Sequence, residues 1–292
     1  VQAKIRKIHY PRNAGELSAL LKKGRGRVAP VGGGISFSFS VPPKVTELAS
    51  LRALGLDAVA VDRNGLSLGT LVTVAKLAAS APAQRFLGGL LAETAAKIAA
   101  TPNRNLITVG GNAIRLFIWS DLPVVYAAAG AVFTLRGENG ARRLSAARFY
   151  ESQPALLLRP SEFLEKIAIP APPPRTGAAF EKFSETENTF ALVSAAAVVT
   201  LDRAGRCRSA RLALGGLRLL PRVSERAAAV LEGLAPSPAR IGTAAAEAVE
   251  ETGAIKDIRV SGEYKKRLAA VVGRRALERA FAAARGGKGK GR

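Results

Sequence analysis

Two short glycine-bearing stretches concentrate the residue types that could hold a ligand. Thr108-Val109-Gly110-Gly111-Asn112 is followed nine residues later by Asp121, and Val31-Gly32-Gly33-Gly34-Ile35-Ser36-Phe37 lies upstream. Paired glycines after a β-branched run let a backbone turn approach a ligand that a Cβ would exclude. The N–H groups of such a turn can hold phosphate oxygens, and Ser120 or Asp121 can cap the helix that follows the second one. One such turn is weak evidence, because most glycine pairs are only tight turns. Two of them, each leaving a β-branched segment, make a double phosphate cradle a candidate, while two unrelated loops stay the leading reading of the glycines taken by themselves.

The remaining inventory limits the chemistry. His9 is the only histidine and Cys207 the only cysteine in 292 residues. No internal disulfide, Cys/His zinc site or iron–sulfur cluster can be built from them, and a Ser–His–Asp site would have to use His9 in an edge strand. Redox chemistry would therefore need an organic cofactor or another chain. No apolar run is long enough to span a membrane, and the basic N-terminal segment lacks the apolar core of a signal peptide, so a cytoplasmic setting is expected. Forty-four basic against 22 acidic residues give a net charge of +22, with eight basic and one acidic in the first thirty positions. Such a balance attracts acidic partners. Aromatic residues make up only 5% and do not interleave with the charges, which disfavours a nucleic-acid binder.

The elements that must position these residues follow in order. Lys4 to Tyr10 reads as a short strand stopped by Pro11. Asn13 and Glu16 form a capping box for a helix with a Leu17-Leu20-Leu21 stripe, ending near Gly24. Arg27-Val28-Ala29 feeds the first glycine turn from a strand's carboxyl end. Strands are expected at Val45–Leu48 and Val59–Val61, with a hairpin through Arg63-Asn64-Gly65 into Leu66–Leu68. Helices are expected at Thr73–Ser80 and Phe86–Ala99, the second ended by Pro102. Asp121–Ala128 reads as a helix with Gly130 as its C-cap, and Val132–Arg136 pairs with Arg142–Leu144 around Glu138-Asn139-Gly140. The prolines between Ile167 and Gly177 mark a domain boundary. Beyond it stand three strands (Phe180–Phe183, Val193–Leu201, Arg208–Leu214) and three helices (Pro221–Gly233, Ser237–Thr252, Ser261–Arg285).

Taken together, these motifs resemble the FAD-binding medium subunits of the molybdenum hydroxylases, the group containing carbon monoxide dehydrogenase, nicotine and quinoline oxidoreductases and bacterial xanthine dehydrogenase. Gly32-Gly33-Gly34-Ile35-Ser36 is similar to that family's first flavin signature. Arg104-Asn105, Thr108 to Asn112 and Ser120 to Pro123 are similar to its second. Glu162-Phe163-Leu164, Phe180-Glu181-Lys182-Phe183-Ser184, Ala213-Leu214-Gly215-Gly216 and Asp257 to Tyr264 resemble later segments, so the likeness runs nearly end to end.

The resemblance implies an α+β fold: a two-lobed FAD-binding domain of the vanillyl-alcohol-oxidase type over residues 1–172, with lobes of about 1–53 and 54–172. A smaller α+β domain with a three-stranded sheet and helices would cover 177–285, followed by a basic disordered tail, 286–292. It implies noncovalent FAD, with Gly32, Gly33, Gly34, Ile35 and Ser36, flanked by Val31 and Phe37, and Thr108, Gly110 and Gly111 cradling the pyrophosphate. Asn112 and Asp121 would reach the ribose or adenine, Leu164 would lie along the cleft, and Phe180 would sit against the isoalloxazine. The partners implied are a large subunit with the molybdenum cofactor, a small subunit with 2Fe-2S clusters, and an external electron acceptor. This chain would be an oxidoreductase subunit that relays electrons, with no catalytic acid–base residues or metal of its own. Against the family's small polar residues, Arg115-Leu116-Phe117-Ile118-Trp119 is bulky. Arg115 could pair with a phosphate, and the run raises the alternative of a flavin-depleted basic assembly subunit.

Overall fold

Asn13 and Glu16 open the first helix as their spacing predicts. In the computed structural model, which describes residues 5–187, 189–256 and 259–286, this helix runs Ala14–Gly24. The Glu16 N–H donates to Asn13 Oδ1 at 2.9 Å, while the Glu16 carboxylate accepts from the Arg12 N–H at 2.8 Å. Leu17 and Leu21 are buried against a parallel sheet of β1 (Lys7–His9), β2 (Val28–Val31) and β3 (Glu47–Ser50), in the order β1-β3-β2. The first strand is shorter than expected, since Ile5 and Arg6 precede the ladder and Lys4 lies outside the described residues.

A five-stranded antiparallel sheet follows, in the order β4-β5-β8-β6-β7. Its strands are β4 (Val59–Asp62), β5 (Gly65–Gly69), β6 (Val132–Gly137), β7 (Gly140–Ser145) and β8 (Phe163–Pro170). Both expected hairpins form; at the first, Asp62 Oδ1 accepts from the N–H groups of Asn64 and Gly65. Helices Val74–Ala79, Leu90–Ala96 and Asp121–Ala129 cover this sheet, and Leu68, Leu77, Leu91, Val125 and Phe133 are fully buried between them. Each such side chain contributes roughly 1.5–3 kcal/mol of transfer free energy. The long helix expected at Phe86–Ala99 is interrupted: Leu87 takes a φ of +49°, and only Leu90–Ala96 is α-helical. Pro102 does not terminate it. It lies in the first turn of a separate helix, Thr101–Arg104, where its missing N–H has no intrahelical partner to lose.

The last region is an antiparallel sheet of β9 (Thr176–Phe183), β10 (Val193–Leu201) and β11 (Cys207–Gly215), in the order β11-β10-β9, with helices Glu225–Leu231, Pro238–Thr252 and Gly262–Ala284. Alternation along β10 explains its alanines. Val193, Ala195, Ala197 and Val199 pack on this region's own helices, whereas Ala196, with Phe180 and Ala213, packs into the preceding core. Small side chains let Asp121–Ala129 approach one face while Gly262–Ala284 covers the other. That close approach brings the amino end of Asp121–Ala129 against β9. Among the described residues no helix is long and apolar enough to cross a membrane.

Candidate functional site

A cleft of about 320 Å³ opens where the carboxyl ends of the parallel strands meet the other two regions. β2 delivers the first glycine turn there. Gly34 adopts φ +77°, a left-handed conformation that L side chains rarely take, and starts the short helix Ile35–Phe39. The N–H groups of Gly32, Gly33, Gly34, Ile35 and Ser36 make no hydrogen bond within the described chain. Five successive residues on the cleft wall thus have N–H groups without a partner among the described residues, the last two because they open a helix. Gly33 is glycine for another reason as well: a Cβ there would lie 1.5 Å from the Leu106 carbonyl oxygen.

The second stretch is built differently. Thr108 caps the helix Val109–Ile114, so the expected tight turn is a helix start, and neither Gly110 nor Gly111 has a positive φ. Its donors are consumed within the protein. Val109 N–H reaches Val72 O at 2.8 Å, Gly110 N–H reaches Thr70 O at 3.0 Å, Gly111 N–H reaches Thr108 Oγ1 at 3.1 Å, and Asn112 N–H reaches Thr108 O at 2.9 Å. A Cβ on Gly110 would overlap Thr70 Oγ1 at 1.7 Å. Thr108, Gly110, Gly111 and Asn112 of this element line the cleft, and the Asn112 Oδ1 is buried with no hydrogen-bond partner among the described residues.

Asp121 is not the helix cap. Ser120 occupies that position, but its hydroxyl accepts from the Phe117 N–H at 3.1 Å, and no side-chain cap bond forms. Asp121 is instead buried, 3.1 Å from Lys182 Nζ, which also donates to Lys97 O at 3.0 Å. Burial pushes the Asp121 carboxyl above its ordinary range, and the Lys182 ammonium opposes that shift. Lys182 lines the cleft and was not expected there. The signal lay in strand periodicity: Phe180 and Lys182 share one face of β9, so an inward Phe180 turns Lys182 inward too, toward a carboxylate.

The bulky run forms a wall of the cleft. Arg115 donates to the Ser40 carbonyl at 2.8 Å and to the Ser40 hydroxyl, so its guanidinium bridges two loops of the protein. Phe117 stacks on Trp119 at 5.2 Å between ring centroids, and Trp119 on Phe190 at 4.6 Å, with Phe39 edge-on to Phe117. Phe117 and Trp119 belong to the bulky run that the sequence set beside the expected cofactor, whereas Phe190, like Lys182, is a cleft residue that the sequence reasoning did not single out. Val31, Gly32, Gly33, Gly34, Ile35, Ser36, Phe37, Thr108, Gly110, Gly111, Asn112, Arg115, Asp121 and Leu164 all line the same cleft. Phe180 does not: its ring is fully buried in the core, with Lys97 Nζ 5.8 Å from its centroid.

Comparison with known proteins gives the chain's family and fold relatives. Residues 3–172 match the family described as the FAD binding domain in molybdopterin dehydrogenase, and residues 178–280 match the CO dehydrogenase flavoprotein C-terminal domain. The carbon monoxide dehydrogenase medium chain of Afipia carboxidovorans is 32% identical over 95% of this chain and 97% of its own length. The 6-hydroxypseudooxynicotine dehydrogenase complex subunit alpha of Paenarthrobacter nicotinovorans is 29% identical over 86% of this chain and 84% of its own. A solved structure of carbon monoxide dehydrogenase from Hydrogenophaga pseudoflava superposes with a TM-score of 0.89 at 28% identity, covering 97% of this chain and 99% of that one.

Proposed function

The chain belongs to the family of FAD-binding medium subunits of molybdenum-containing dehydrogenases, and from that premise we propose that its cleft holds FAD noncovalently and that the subunit relays electrons within a larger oxidoreductase. The observation that carries the reading is the row of free N–H groups from Gly32 to Ser36, which shares one cleft with the unpartnered, buried Asn112 Oδ1. The donors match a pyrophosphate, and an acceptor without a donor matches a ribose hydroxyl or an adenine amine.

When bound, FAD supplies chemistry that exchanges electrons singly or in pairs, which suits a link between iron–sulfur clusters and an external acceptor. The protein's part is to bind, orient and shield. The Gly32–Ser36 backbone holds negative charge; Lys182, fixed by Asp121 and the Lys97 carbonyl, places a cation on the cleft wall. Leu164 and the aromatic row keep the wall apolar. Covalent attachment has no candidate residue at the site, since Cys207 is buried in the last region and His9 is bonded to Glu47; neither lines the cleft. The flavin-depleted alternative is not favoured, because the bulky run walls the cleft and leaves it open. The large molybdenum and small iron–sulfur subunits, the acceptor and the cytoplasmic setting belong to the same reading, and fractionation with copurification from the native source checks them.

Titrating the FAD-free chain with FAD tests the core of the proposal. One equivalent should bind and survive native mass spectrometry as a noncovalent complex. A folded chain that takes up none overturns it.

A further inference from the structure

The parallel sheet of the first lobe has two ends, and only one serves the cleft. The register aligns Lys7, Glu47 and Val28 at the amino end and His9, Ala49 and Pro30 toward the carboxyl end, where the Gly32 turn begins. The amino end gathers positive charge. Arg6 and Lys7 lead β1, Arg25 and Arg27 lead β2, and Lys44 precedes β3; all five are exposed and none lines the cleft. Backbone bonds hold them together: the Arg6 N–H donates to Thr46 O, and the Thr46 and Glu47 N–H groups donate to Arg27 O.

Between residues 5 and 52 stand nine basic and two acidic residues, and both acids are engaged. Glu16 serves the first helix's start, and Glu47 is held 2.5 Å from His9 Nε2. Arg6, Lys7, Arg25 and Lys44 form no ion pair among the described residues. One exposed apolar side chain follows Lys7 in the same strand: Ile8 is 48% accessible. Unpaired cations from three strands gathered at one sheet end, beside an exposed isoleucine, match an acidic partner surface by charge complementarity.

We infer that this basic end of the first lobe docks an acidic surface of a partner subunit, at a place distinct from the cofactor cleft. The inference rests on the reading of the chain as a subunit. A second copy does not fit, because it would bring the same charge to the same place. A nucleic acid fits less well, since the segments that carry these cations, residues 5–7, 25–27 and 44–46, hold no aromatic side chain to serve as a stacking platform.

The test uses the complex coexpressed with its native partner subunits. Arg6→Glu/Lys7→Glu/Arg27→Glu, and separately Lys44→Glu in the loop, are compared with a control of equal charge change at exposed sites elsewhere, Arg203→Glu/Arg267→Glu/Arg275→Glu. Free chains are first matched for FAD uptake and thermal midpoint, with Lys44→Glu the fallback should the strand variant fold poorly. Association of the triple variant should slow by roughly one to two orders of magnitude at low salt, with the gap closing at high salt and the control unaffected. Lys44→Glu should show a smaller loss of the same kind. Wild-type-like assembly of the patch variants, or equal loss in the control, overturns the docking site while leaving the subunit reading intact. A wild-type chain that assembles with nothing overturns both. Loss of binding to single-stranded DNA with assembly unchanged reassigns the patch to nucleic acid.

Discussion

At the first glycine turn, five backbone N–H groups from Gly32 to Ser36 make no hydrogen bond among the described residues; at the second, the four from Val109 to Asn112 are all spent on Val72, Thr70 and Thr108. The glycines differ in the same way. Gly34 supplies a left-handed φ, whereas Gly110 supplies the space that Thr70 needs. Two similar sequence motifs therefore divide the labour, one leaving its donors unbonded and the other locking itself, with Asn112, onto the Thr70–Val72 segment that follows β5. A glycine can be required by a ligand or by the protein's own backbone, and only the surroundings of its missing Cβ tell which.

The largest effects should come from filling those missing Cβ positions. Gly33→Ala meets a carbonyl oxygen, which cannot turn away; Gly110→Ala meets mainly the Thr70 hydroxyl. Both should lose FAD binding and about 3 kcal/mol or more of stability by chemical denaturation. The comparison predicts different rescue. Thr70→Ala should restore part of the loss in Gly110→Ala, while no side-chain deletion restores Gly33→Ala. Equal rescue of both would show that the two glycines answer to the same constraint.

The division was only half visible in the sequence. Strand and helix positions follow from local signals, such as the Asn13–Glu16 box, the Asn64-Gly65 and Asn139-Gly140 turns and the apolar stripe of the first helix. Both glycine motifs were also visible, together with the likeness they carry. What local signals do not contain is which distant backbone lies against a glycine. Leu106 lies beside Gly33 although the two are far apart in the sequence. The same gap explains Phe180 and Lys182: residue type alone offered the ring as a flavin neighbour, but packing of β10 against Asp121–Ala129 puts the ring in the core and the ammonium at the cleft. Pro102 was misread because a proline ends one helix and begins another equally well.

A middle-sized effect is expected where the second motif meets the last region. Lys182 and Asp121 form a buried pair, and removing one partner strands the other, at a cost of about 3 kcal/mol near neutral pH in Lys182→Met. The pH dependence has a definite sign. Asp121 already has a raised pKa when folded, and losing the ammonium raises it further, so the folded variant binds a proton more tightly than the unfolded chain. Its stability should be greatest in acid and fall as pH rises through the raised Asp121 value. Adding Asp121→Asn should remove that slope and return much of the stability. Thermal midpoints across pH check this; a slope unchanged by Asp121→Asn would place the titrating group elsewhere.

The smallest effect is the sharpest test of the comparison. Thr108→Ala removes the hydroxyl that accepts the Gly111 N–H at 3.1 Å and caps the helix Val109–Ile114. Loss of such a cap costs about 1 kcal/mol. If the second motif positions rather than binds, freeing one of its donors should leave FAD affinity within about threefold, because a buried frame held by the Val72 and Thr70 carbonyls still presents Asn112. Asn112→Ala, by contrast, should weaken FAD by tenfold or more, about the value of one hydrogen bond to a buried group. Calorimetric titration of the two variants separates the roles. An affinity loss in Thr108→Ala as large as that in Asn112→Ala would mean that the helix start itself contacts the cofactor, and the distinction between a donating turn and a locking turn would not stand.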